Sequence, residues 1–332
     1  MRITNPESEP ELEEPIGGMR EHRRRRFRRR GRRAYIRSIY SLPTLATLGN
    51  AISGFASIYL ASIISITLFA QMQAVPLSSL PMFKDPRLVP LVETFHFALP
   101  AYLIFLAMFF DAIDGRLARF ARHTTDFGGQ LDSLADIVSF GVAPAFLVLQ
   151  VVKVETAGFD NFPLTISRLI WCTGALYLSC AAMRLARFNV SNEHGEQYHF
   201  SFLGLPSPGA AGAVASLVLV QQELRTYDQS TVLRHAGDVC VVLLPLVLLA
   251  TGLLMVSHLR YPHIVNRYLT GRKSIARLLI ILVALLLLVT ALQYTIALIC
   301  LTYAFWGPAY WAYLRLMRRA YPKSGVEPGA ES

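Results

Sequence analysis

Residues 111–136 read DAIDGRLARFARHTTDFGGQLDSLAD. Asp111 and Asp114 stand three residues apart, and Asp132 and Asp136 four apart, so on helices each pair shares one face. A short turn through residues 124–129 would let the two helices turn four carboxylates toward one another. Apolar stretches of membrane length flank them, 92–112 before and 129–152 after. One acidic pair at helical spacing is commonly a solvated face. Four acids held among apolar spans are not, because like charges repel and ionisable groups at membrane depth mark function. Oxygen ligands without His or Cys suit Mg²⁺, Mn²⁺ or Ca²⁺ rather than zinc. Gly115 lets a ligand approach the backbone, and Arg119, one turn on, offers a forked donor. Gly128 and Gly129 open the second helix, where free amides and the helix dipole favour anions. These residues describe a site for a phosphate or pyrophosphate at a membrane interface.

The chain has 332 residues, 53% of them apolar and only 16% charged. That balance excludes an ordinary soluble domain and a disordered chain. Eight stretches approach spanning length: 45–72, 92–112, 129–152, 165–186, 205–222, 236–258, 275–292 and 295–314. The fifth is short and rich in Gly and Ala. The expected fold is therefore all-α, a polytopic integral membrane protein of about eight transmembrane helices. With the N-terminus inside, 26 of the 32 Lys and Arg fall on the inner side and 6 on the outer. This asymmetry puts both termini, and the aspartates, on the cytoplasmic side of the cell membrane. Residues 1–18, rich in Glu and Pro, are expected to be disordered, and no cleavable leader is expected. An arginine block follows, completing a 1–40 segment that reads as a juxtamembrane anchor for anionic lipid rather than a nucleic-acid arm. Cys172, Cys180, Cys240 and Cys300 sit singly in apolar runs, as buried thiols do.

The stretch fits D-x2-D-G-x2-A-R-x8-G-x3-D-x3-D through Asp111, Asp114, Gly115, Ala118, Arg119, Gly128, Asp132 and Asp136. In this it resembles the CDP-alcohol phosphotransferase family. The resemblance implies a core of six spanning helices, here 41–265, a homodimer, and displacement of CMP from a CDP-linked donor by an alcohol. It also implies one or two Mg²⁺ or Mn²⁺ ions held by Asp111, Asp114, Asp132 and Asp136, with Asp136 as general base. Gly115, Ala118, Arg119 and Gly128 would border the nucleotide and pyrophosphate. Thr47 and Asn50, in the PTLATLGNAISG run at 43–54, would face the CDP-lipid. Two further helices at 266–314 and a cytoplasmic tail at 315–332 complete the expected organisation.

Three more runs bear on the acceptor: RLARFN at 184–189, FLGLPSPGAA at 202–211 and MVSHLRYP at 255–262. Together they resemble the membrane-spanning phosphatidylserine synthases of bacteria and archaea. That likeness implies CDP-diacylglycerol as donor and L-serine as acceptor, with Arg184, Arg187, Asn189 and Ser207 as candidate acceptor contacts. Arginines at an inner helix end also follow from topology alone, so glycerol 3-phosphate, an inositol phosphate or choline stay open as acceptors. A transporter would instead need ionisable groups at other depths, and the middles of the other spans carry none.

Overall fold

A computed structural model describes residues 17–73, 96–121, 126–157, 163–193, 202–226, 231–261, 282, 285–287 and 289–320. Side chains at 17–43, 118–121, 126, 191–193, 202–203, 260 and 317–320 are outside that description. So are residues 1–16 and most of the expected 275–292 span. Among the described residues the architecture is helical apart from one short strand pair. Its elements are α1 (Gly17–Met72), α2 (Ala98–Ala121), α3 (Asp126–Asp136), a π-helical turn (Ile137–Val142) and α4 (Ala143–Thr156). There follow α5 (Leu164–Glu193), β1 (Phe202–Leu203), α6 (Ser207–Thr226), α7 (Thr231–Val256), β2 (Arg260–Tyr261) and α8 (Leu292–Ala320). α1 is continuous through the arginine block.

Among the described residues, five helical stretches are long and apolar enough to cross a membrane: Thr44–Met72, Ala98–Leu117, Phe127–Thr156, Leu164–Val190 and Thr231–Val256. They overlie five of the eight expected spans. The expected fifth span is also a helix, α6, but its Ser, Pro, Gly, Gln and Glu residues keep it out of the apolar set. Its position supplies the reason. α6 packs against α2, α7 and α8, and 13 of its 20 residues are buried. A helix wrapped by other helices needs small residues for close approach more than it needs lipid-compatible bulk. α8 covers the expected eighth span, with Tyr, Trp and Gly diluting its hydropathy.

The α3–π–α4 rod lies between α1 and α5. Ser139, Phe140 and Gly141 are buried in its π-helical turn, and Pro144 opens α4. In a regular helix the amide of residue 144 would serve the Phe140 carbonyl. Proline has no N–H, and the buried Tyr177 Oη of α5 donates to that carbonyl instead, at 3.0 Å. Gly252 of α7 lets that helix lie close on Tyr177. On the other side, a Cβ on Gly54 of α1 would overlap Ser139, so glycine there permits backbone-close packing. Ser139 Oγ donates to the Asn50 carbonyl at 3.0 Å across this contact. These contacts fix the height of Asp136, the residue just before the π-helical turn.

Candidate active site

Asp111 stands in the second half of α2, and Asp132 and Asp136 stand along α3. One carboxylate oxygen from each lies within 4.8 Å of the others. Oxygens on opposite sides of one Mg²⁺ or Ca²⁺ are about 4–5 Å apart, so the spacing suits a single hard cation. Asp114, one turn beyond Asp111, is buried and accepts a hydrogen bond from Thr47 Oγ1 of α1. It remains within electrostatic reach of Asp111 and Asp132. Asn50, fully buried one turn along α1 from Thr47, donates from Nδ2 to Asp136 Oδ1 at 3.0 Å. The polar pair of the first span thus grips one acid from each of the two following helices.

Arg184 of α5 brings positive charge to the same place, within Coulombic reach of Asp111 and Asp136. Its Nη1 donates to Ser207 Oγ at 2.7 Å, and Ser207 is fully buried at the start of α6. Asn189, further along α5, donates to Ser133 Oγ at 3.0 Å and so ties α5 to α3 beside Asp132. Three buried polar atoms here have no hydrogen-bond partner: Asp132 Oδ1, Asn50 Oδ1 and Arg184 Nε. Buried polar atoms are ordinarily satisfied, and leaving one bare costs about 1–3 kcal/mol. Two bare oxygens inside a carboxylate cluster are the donor chemistry of a divalent-cation site.

Gly115 and Gly129 face open space, since a Cβ at either would meet nothing within 4 Å. Gly128 is half-buried in the first turn of α3. Arg187 is exposed, and none of the described hydrogen bonds joins it to the cluster. The side chains of Ala118 and Arg119 lie outside the described residues. Four contributors carry no motif signal in the sequence. Ser133 and Ser139 brace the site residues Asn189 and Asn50, and Tyr177 holds the π-helical turn. The Tyr303 ring of α8 rests on Gly209, two residues beyond Ser207, where a Cβ would come 2.8 Å from Cε1. Only Pro144, which deprives the Phe140 carbonyl of its partner, could have pointed toward Tyr177.

The runs 202–211 and 255–262 meet in space. Phe202 pairs with Tyr261 and Leu203 with Arg260 in antiparallel register. Gly204, at φ +83°, donates to the Leu259 carbonyl at 2.9 Å, and the Leu205 amide donates to Leu254 at 3.0 Å. A side chain at residue 204 would collide with the Met255 carbonyl, so glycine is required twice over. This anchored loop delivers Ser207 to Arg184.

The family described as CDP-alcohol phosphatidyltransferase matches residues 42–259. Among curated relatives, the CDP-diacylglycerol–serine O-phosphatidyltransferase of Helicobacter pylori is 34% identical over 171 residues, covering 52% of this chain and 63% of that protein. The protein of the same name from Methanocaldococcus jannaschii is 34% identical over 205 residues, covering 62% of this chain and 80% of the other. The archaetidylserine synthase of Methanothermobacter thermautotrophicus is 32% identical over 164 residues, covering 49% and 57%. The chain therefore spans less than two thirds of the length of the first and third of these relatives.

Proposed function

We propose that this chain, which belongs to the CDP-alcohol phosphatidyltransferase family, transfers the phosphatidyl group of CDP-diacylglycerol to the hydroxyl of L-serine and releases CMP. The observation that carries this reading is the aspartate cluster together with Arg184, which is hydrogen-bonded to Ser207 and lies within Coulombic range of Asp111 and Asp136. The cluster suits a metal-bound pyrophosphate, and the guanidinium suits the carboxylate of an amino-acid acceptor.

Asp111, Asp114, Asp132 and Asp136 would hold Mg²⁺ or Mn²⁺. Such a cation supplies neutralisation of the pyrophosphate charge, which lowers repulsion toward an incoming oxygen. Gly115, Gly128, Ala118 and Arg119 border the nucleotide, with Thr47 and Asn50 behind them. Asn50 fixes Asp136 through Oδ1, leaving Oδ2 to accept the serine hydroxyl proton. As that proton leaves, the serine oxygen forms a bond to the lipid-side phosphorus. The bond from that phosphorus to the CMP oxygen breaks, and CMP leaves with the electron pair. Arg184 orients the serine carboxylate, assisted by Ser207, Asn189 and Arg187. The names of the relatives support serine as acceptor. We place the site and both termini on the cytoplasmic face of the cell membrane, in a homodimer, on the charge asymmetry and the family resemblance.

Purified protein in micelles of CDP-diacylglycerol tests this with a panel of alcohols. CMP release is expected with serine, lost with a chelator and restored by Mg²⁺ or Mn²⁺. Release with glycerol 3-phosphate, an inositol phosphate or choline, but not with serine, would overturn the acceptor.

A further inference from the structure

Tyr261 and α8 both lie beyond residues 42–259, which match the family, and a specific contact joins them. Pro308 stands inside α8 and has no N–H to give the Ala304 carbonyl, four residues earlier. Tyr261 of β2, fully buried, donates from its Oη to that carbonyl at 2.9 Å. Gly307 makes room for the Tyr261 ring, because a Cβ there would lie 2.7 Å from Cζ. Tyr303 flanks the same ring, with centroids 6.0 Å apart. Ala304, Gly307 and Pro308 thus form a socket in α8 for one tyrosine, the same device as Pro144, Phe140 and Tyr177. From Tyr261 the contacts run on to the site. Tyr261 pairs with Phe202 across the strand pair, and the next two amides, of Gly204 and Leu205, donate to the Leu259 and Leu254 carbonyls. Two residues further on, Ser207 Oγ accepts from Arg184 Nη1 at 2.7 Å.

We propose that Tyr261, seated in the Gly307–Pro308 socket of α8, is a positioning residue of the acceptor site, holding the 202–207 loop so that Ser207 meets Arg184. The inference rests on the serine reading above. Strands of two residues are too short to stand alone, so this pair takes its place from whatever anchors it. The bond from Tyr261 Oη to α8 is such an anchor, and it is wholly buried. With the anchor loosened, Ser207 drifts, and Arg184 loses the partner that orients its guanidinium toward a carboxylate. The aspartates are held separately, by Thr47 and Asn50 of α1. Removal of the Tyr261 hydroxyl is therefore felt by the acceptor and not by the CDP-lipid.

The test uses the full chain in CDP-diacylglycerol micelles with saturating Mg²⁺, and reads initial rates of CMP release against serine together with thermal unfolding. Tyr261→Phe keeps the ring in the socket but leaves the Ala304 carbonyl buried without its partner. It is expected to melt several degrees lower and to raise the serine KM about fivefold, with kcat and the CDP-diacylglycerol KM within about twofold of wild type. Adding Pro308→Ala gives that carbonyl an amide. The melting temperature should then recover while the serine KM stays raised, because residue 261 is still unfastened. In a Ser207→Ala background, Tyr261→Phe should add nothing to the serine KM, because it acts through Ser207. A wild-type protein without serine-dependent CMP release overturns the serine reading and this inference with it. Serine-dependent release with an unchanged serine KM in Tyr261→Phe overturns this inference alone. So does a serine KM that recovers together with the melting temperature in the Pro308→Ala background, or one that rises additively with Ser207→Ala.

Discussion

Substitution of Gly54 by alanine should damage catalysis without touching a catalytic group. A Cβ at Gly54 would stand 2.7 Å from Ser139 Cα and 2.9 Å from Ser139 Cβ. The first of these is backbone and cannot rotate away. An ordinary contact of 3.4 Å is reached only if α1 withdraws from the π-helical turn by about 0.7 Å. The same withdrawal stretches the 3.0 Å bond from Asn50 Nδ2 to Asp136 Oδ1 toward about 3.7 Å, beyond hydrogen-bonding range. Overpacking of this kind destabilises by roughly 1–3 kcal/mol. A misplacement approaching 1 Å at a reacting group lowers the rate by on the order of 100-fold. Gly54→Ala should thus insert in the membrane, melt several degrees lower in detergent and lose about 100-fold in kcat, with the serine KM little changed. Gly115→Ala is the informative contrast, because its Cβ meets nothing within 4 Å. That variant should keep or gain up to about 1 kcal/mol of helix stability, with any loss read in the CDP-diacylglycerol KM. CMP-release kinetics and thermal unfolding measure both. Wild-type kcat and melting temperature in Gly54→Ala would show that the contact of α1 with the π-helical turn does not hold Asp136 in place.

Other outcomes follow from the same geometry. Asp136→Asn, which keeps the side-chain shape but removes the proton acceptor, should lower kcat by at least about 100-fold while the protein still folds; single-turnover CMP release measures this. Thr47→Val strips Asp114 of its hydroxyl donor and should weaken the response to Mg²⁺, read as a higher metal concentration for half-maximal rate. Tyr177→Phe leaves the Phe140 carbonyl buried without its partner. It should cost about 1–3 kcal/mol in thermal unfolding, with the serine KM unchanged.

Hydropathy made five spans legible, since each carries a long apolar window with few charges. It undervalued α6 for a physical reason: a helix enclosed by α2, α7 and α8 is selected for close approach rather than lipid solubility. The aspartates were legible because their spacing, three and four residues, is the helical repeat itself. Thr47 and Asn50 stood out as polar residues in an apolar span, and they do grip Asp114 and Asp136. Ser133, Ser139, Tyr177 and Tyr303 were not legible, because each acts across a helix–helix contact that no local spacing encodes. The pairing of Leu203 with Arg260 joins runs more than fifty residues apart, and only the folded chain brings Ser207 beneath Arg184.

The most direct test of the central claim follows the label of isotopically marked L-serine supplied with CDP-diacylglycerol and Mg²⁺. Serine label is expected to enter the lipid fraction as phosphatidylserine, in equal amount to CMP released, with both lowered at least about 100-fold in Asp136→Asn. CMP release with all serine label remaining in the aqueous phase would contradict it.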